Sequence, residues 1–209
     1  MSQATRVPQD KPPRAPLRQE ERTRAMRARL LDATVQLLAE RGFAGTSTTL
    51  VSQRAGVSRG AQLHHFPAKN DLVVAAVEHI TEARGEALKE AARALPDGGR
   101  RTRHVLAMLA EQVTSPVFTA ALELWVAART DEQLAAAVGP LEQRIGRELH
   151  RAAIELLGVD EKKPGVRELV QATLDLVRGL GLADTINDDA SRRERILDHW
   201  AEVLERELQ

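Results

Sequence analysis

The 209-residue sequence predicts an all-α protein of about nine helices, and three observations carry that prediction. Alanine, leucine, arginine and glutamate dominate, while β-branched and aromatic residues are scarce, which favours helix over strand. Apolar residues recur at three- and four-residue intervals along nearly the whole chain, the spacing that lines one face of a helix. No stretch alternates apolar and polar residues with the period expected of a strand. The length suits one or two domains and is enough to bury a real core.

Pro8, Pro12, Pro13 and Pro16 lie among basic and polar residues, with too little apolar surface to offset the entropy of ordering. Residues 1–19 are therefore expected to be a disordered basic arm. From Glu20 to Arg41, Met26, Leu30, Leu31, Val35, Leu37 and Leu38 fall at helical spacing, and Gly42 stops the run like a C-terminal cap. Thr46 and Ser47 offer N-cap hydroxyls to a short helix ending near Ala55 and Gly56. Ser58 is the natural N-cap of a second short helix reaching about His65. Pro67 bars its extension past Phe66, since the residue before proline avoids the helical region.

The rest of the chain reads as long helices. Over 69–95, Leu72, Val73, Ala76, Val77, Ile80, Ala83, Ala87 and Leu88 share a face, and the PDGG of residues 96–99 closes the run. Helices over 101–114, 117–130 and 131–157 follow, broken by Pro116, by the cap signal at Thr130-Asp131 and by Gly158. Two last helices, about 164–183 and 188–208, bracket the polar turn at Asn187-Asp188-Asp189. This divides the chain into an arm (1–19), a small three-helix unit (20–68) and a larger helical domain (69–209).

Composition also excludes functions. With no cysteine, disulfides, thiolate metal sites and cysteine nucleophiles are ruled out. The six histidines are scattered, and the adjacent His64-His65 pair lacks the spacing of helical metal ligands, so no metal or cofactor is expected. No Gly-rich phosphate loop, HExxH or nucleophile elbow is present, which argues against an enzyme. No apolar run approaches a membrane span and no signal-peptide core is visible, so a cytoplasmic protein is expected.

The formal net charge of zero hides an asymmetry. Residues 1–70 carry 12 Lys and Arg against 5 Asp and Glu, whereas residues 71–209 carry 18 against 25. A basic first third joined to an acidic remainder points to a polyanion that meets only the first third. Two short helices separated by Gly56 have the dimensions of a helix-turn-helix, whose second helix enters the DNA major groove. Ser58, Gly60 and Ala61 would allow close approach there, and Arg59 can make the bidentate contact to guanine O6 and N7. His64 or His65 can donate to phosphate, and Lys69 stands at the next helix's N-terminus, where free amides also attract phosphate. A helical protein-interaction scaffold that never touches DNA shares the composition. Salt-dependent DNA binding separates the two, because a scaffold has no counterions to release.

The stretch RGFAGTSTTLVSQRAGVSRGAQLHHFPAKNDLV resembles the N-terminal domain of the TetR (tetracycline-repressor) family, over roughly residues 22–73. The resemblance rests on Gly42-Phe43, the Thr/Ser cap, Ala55-Gly56-Val57-Ser58, Gly60, His65-Phe66 and Lys69. It implies a three-helix DNA-binding domain followed by a helical domain for ligand binding and dimerisation. It also implies DNA contacts at Thr46, Thr48, Arg59, Gly60, His64 and Lys69, to which the helix reading adds Ser58. The sequence departs from the family at Gln62-Leu63, where an apolar residue and a phosphate-binding tyrosine are usual. Gln62 is then expected to face a base or the DNA backbone. Leu50 and Ser52 also depart from the usual polar residue and alanine.

By the same resemblance, the last two helices pair across a two-fold axis, giving a homodimer on a palindromic operator. Leu169, Val170, Thr173, Val177 and Leu180 make one apolar stripe, and Ile196, Trp200, Val203 and Leu204 a second. Periodicity alone leaves open whether these stripes meet a partner or the chain's own core. A small-molecule effector is expected among the middle helices, with Met108, Gln112, Phe118, Leu122 and Trp125 as candidate contacts. Arg129, His150, Leu174 and Arg178 complete that set, and the scarcity of aromatics favours a small or aliphatic effector. The functional expectation is a ligand-released repressor, with Arg6, Lys11 and Arg14 of the arm adding phosphate or minor-groove contacts.

Overall fold

The computed structural model describes residues 16–93, 101–187 and 189–208. Among these residues there are nine helices and no strand. They are α1 (Pro16–Gly45), α2 (Thr48–Ala55), α3 (Arg59–His65), α4 (Lys69–Arg93), α5 (Arg101–Val113), α6 (Pro116–Ala128), α7 (Glu132–Leu157), α8 (Val166–Asp184) and α9 (Ala190–Glu207).

The caps explain where the short helices begin and end. Gly42 interrupts α1 at φ 67°, ψ 177°, a conformation essentially reserved for glycine, and the chain makes one last turn to Gly45. The Ser47 hydroxyl accepts from Leu50 N at 3.2 Å to start α2, and Gly56, at φ 62°, closes it in the left-handed region. The Ser58 hydroxyl accepts from Ala61 N at 3.2 Å and starts α3.

One boundary differs from expectation. α1 starts at Pro16, so residues 16–19 of the expected arm are helical. A proline is tolerated in a first turn because its missing N–H would have no partner there. Residues 1–15, with Arg6, Lys11 and Arg14, lie outside the described residues, as do the PDGG break and Asp188.

Two apolar cores organise the bundle. The first joins Leu30, Leu31, Leu37 and Leu38 of α1 to Val51, Phe66, Leu72 and Val73, and continues through Leu124 of α6 to Leu134 and Val138 of α7. The small N-terminal unit therefore has no core of its own; it shares one with α4, α6 and α7. The second core joins Leu106 and Leu109 of α5 to Leu156, Val170, Val177, Leu197 and Leu204. On α4, Leu72, Val73, Ala76 and Val77 are buried as the spacing predicts, but Ala83 is exposed. The side chains of Ile80, Ala87 and Leu88 lie outside the described ones.

α5 and α8 pack so closely at Gly181 that a Cβ there would stand 2.5 Å from Val113 Cβ and 2.6 Å from the Val113 carbonyl oxygen. Backbone cannot swing aside as a side-chain tip does. Gly181→Ala is expected to cost about 1–3 kcal/mol through overpacking, seen as a Tm several degrees lower in thermal unfolding. An unchanged Tm would contradict this packing.

Candidate nucleic-acid interface and central cavity

α3 has two faces of different character. Arg59 and Leu63, and Gly60 and His64, are four residues apart and all exposed, so they form one outward strip. No protein atom lies within 4 Å of where a Gly60 Cβ would stand, so packing does not require glycine there. The opposite side is buried. Phe66 is clamped by the Arg27 guanidinium, 4.8 Å from its ring centroid. Beside α3, the Arg54 guanidinium donates to Glu40 at 2.7 Å; this holds the Glu40 carboxyl below its usual pKa and ties α2 to α1.

Three expected DNA contacts are corrected by this geometry. Gln62 is fully buried, and its Nε2 donates to the Phe66 carbonyl at 2.8 Å, satisfying the end of α3 instead of reading a base. Thr46 is 1% exposed, and its hydroxyl donates to the Gly42 carbonyl at 2.8 Å. Lys69 turns inward: Nζ donates to the Phe43 carbonyl at 2.6 Å and sits 3.8 Å from the Phe43 ring centroid. Burial lowers the Lys69 pKa from its ordinary value. Thr48 is half-buried at the start of α2, and Ser58, Arg59, Gly60 and His64 stay exposed. Leu63, which stands where the family usually has a tyrosine, is 40% exposed on the outward strip.

Phe43 is also held from the other side, because its backbone N–H donates to Glu123 Oε2 of α6 at 3.3 Å. The end of α1 is thus gripped between the first residue of α4 and a carboxylate of α6. Nothing in the sequence marks this grip, since Phe43 and Glu123 are 80 residues apart.

On its other side α6 borders a cavity of about 780 Å³ among α4, α5, α6, α7 and α8. Of the candidate effector contacts, Gln112, Phe118, Trp125, Leu174 and Arg178 line it. Four other candidates do not. Met108 packs on the second core, and Leu122 of α6 is half-buried outside the lining. Arg129 is exposed at the C-cap of α6, and His150 Nε2 lies 3.1 Å from Glu161 Oε2 on another part of α7. The sequence reading missed the α4 and α7 walls, where Glu82, Glu86, Glu142, Ile145 and Leu149 recur at helical spacing.

The apolar stripes of α8 and α9 divide likewise. Val170, Thr173, Val177, Leu180 and Leu204 are each 5% exposed or less and belong to the chain's own interior. They are therefore corrected from interface to core, because a side chain already enclosed has no surface left for a partner. Leu169, Ile196, Trp200 and Val203 are half-buried. The Trp200 indole N–H donates to Thr173 Oγ1 at 3.0 Å, tying α9 to α8.

A family model described as bacterial regulatory proteins of the tetR family matches residues 30–76, the span from α1 into α4 that contains the outward strip. The HTH-type transcriptional regulator CymR of Pseudomonas putida is 28% identical over 191 residues, covering 88% of this chain and 92% of that protein. Residues 30–76 are thus similar to the DNA-binding domain of the tetR family. The matched domain is that of DNA-binding regulatory proteins, and CymR is named a transcriptional regulator. A putative transcriptional regulator from Saccharomonospora viridis, solved with choline, superposes with a TM-score of 0.66 at 16% identity, over 87% of this chain and 96% of that one. FadR from Bacillus subtilis, solved with stearoyl-CoA, gives 0.63 at 16% identity, over 84% and 96%. At those identities both show a shared fold. Among the described residues no single helix is long and apolar enough to cross a membrane.

Proposed function

We propose that this chain is a cytoplasmic repressor of the TetR type that binds a palindromic operator as a homodimer and is released by a small-molecule effector. Residues 20–68 would read DNA, with α3 in the major groove, and residues 69–209 would bind effector and partner. The observation that carries this reading is the double role of α6. Phe118, Ala121 and Trp125 border the cavity, while Glu123 of the same helix holds the end of α1. An effector that displaces α6 therefore has a short mechanical route to the N-terminal unit.

The half-buried apolar residues of α8 and α9 are the surface offered to a second copy. Leu182 and Ile186, at 54% and 82% exposure, extend it past the end of α8. Two recognition helices brought together this way would sit about 34–36 Å apart, one turn of DNA, or a little more. The effector's differential affinity for two spacings supplies the coupling, and DNA must weaken the effector by the same factor. The complexes of two fold neighbours with choline and stearoyl-CoA support ligand response in a TetR fold of this kind.

Selection of genomic fragments by the purified full-length chain at near-physiological salt, followed by sequencing, tests the reading. An enriched palindrome is expected. Enrichment of a single unrepeated half-site would overturn the dimeric part of the proposal.

A further inference from the structure

The outward strip of α3 contains an apolar side chain among polar ones. Leu63 is 40% exposed, and among the described side chains of residues 16–68 it is the one large apolar group left so. Phe43, Leu50 and Val57 of the same unit pack against the first core, which Leu63 does not join. A lone exposed leucine is ordinary on a protein surface, so exposure by itself assigns nothing. Its position does. Leu63 lies one turn along from Arg59 and Gly60 and next to His64, while Gln62 and Phe66 fill the buried side. Gly60 has no protein atom within 4 Å of where its Cβ would stand, although glycine destabilises a helix interior relative to alanine. Beside Leu63 the strip therefore lacks side-chain bulk, which lets the helix approach whatever it faces closely enough for Leu63 to touch it.

We infer that Leu63 is a specificity-determining residue that packs on the 5-methyl group of one thymine in each half-site. This rests on the DNA reading above and deepens it. Leucine has no donor or acceptor, so it can bond neither a phosphate oxygen nor the hydrogen-bonding edge of a base. In the major groove the thymine methyl is the apolar group on offer, and apolar side chains recognise thymine through it. Cytosine at the same place lacks the methyl and presents an amino donor that Leu63 would leave without a partner. Arg59 and Leu63 then divide the readout, the guanidinium taking a hydrogen-bonded base and Leu63 a methyl group one turn further along α3.

The test uses the full-length chain and the palindrome enriched by the selection above. Each thymine is replaced in turn, in both half-sites, by deoxyuridine, which lacks only the 5-methyl. Binding titrations are expected to single out one thymine position. Removing its methyl should weaken binding about fourfold per half-site, the value of one buried methyl group, and so roughly 15-fold for the two together. Leu63→Ala should weaken binding to the thymine operator and bind the thymine and deoxyuridine operators equally. Its Tm should match that of the parent chain, because the side chain joins neither core. Indifference to the methyl at every thymine, or a preference that Leu63→Ala retains in full, would each overturn the inference and leave the DNA reading standing. A selection that enriches no DNA would overturn both.

Discussion

Replacing Arg59 with alanine is expected to weaken operator binding more than any other single change in α3. Arg59 is the first residue of α3, exposed on the same strip as Gly60, Leu63 and His64. A bidentate arginine–guanine pair is worth about 1–3 kcal/mol of discrimination, and a dimer would lose two such pairs, so the combined loss is roughly 2–6 kcal/mol if the half-sites act independently. The loss should also be selective, relaxing the preference at one base position in each half-site. Binding titrations against the selected operator and its single-base variants check this. A uniform loss across all sequences would make Arg59 a phosphate ligand, and a neutral result would remove it from the interface.

The second large effect is expected in α6. Ala121 borders the cavity, and Glu123, two residues on, holds Phe43 N from the opposite side of the helix. Ala121→Phe partly fills the cavity with protein and so acts as a ligand of known position. It is expected to weaken operator binding by a factor within the usual range of allosteric coupling, about 5- to 150-fold. In a Glu123→Ala background α6 no longer grips the end of α1, so the same filling should cost several-fold less. Operator affinities of the four chains in this double-mutant cycle give the coupling directly. Unfolding of the same four chains supplies the control for purely local interaction between neighbours. Additive effects on DNA affinity would contradict the route through Glu123.

What the sequence could and could not disclose follows from the range of the interactions. Caps and stops are local: Ser47, Gly56 and Ser58 act within three or four residues, so the short helices were legible with their ends. The outward strip of α3 was legible in part. Arg59, Gly60 and His64 follow from helical spacing, but spacing alone could not show that Gln62 turns inward to the Phe66 carbonyl. A polar side chain near a turn has a backbone carbonyl within reach as readily as a base edge, and only burial decides between them. The stripes of α8 and α9 were misassigned for a related reason. Periodicity identifies an apolar face but not its neighbour, and α5 had already claimed most of α8's face, down to the contact at Gly181. The grip on Phe43 by Lys69 and Glu123 joins positions 26 and 80 residues apart, and no local pattern records it.

The central claim is that two copies of this chain present their α3 helices together to one operator. The chain has no cysteine, so Gln53→Cys, on the exposed side of α2, would carry the only thiol and take a single spin label. Pulsed dipolar spectroscopy of the labelled chain, free and on the selected operator, reads the distance between protomers. The account predicts one intermolecular distance that narrows on DNA, at a value compatible with recognition helices about 34–36 Å apart or slightly more. Absence of dipolar coupling on a saturated operator would contradict it.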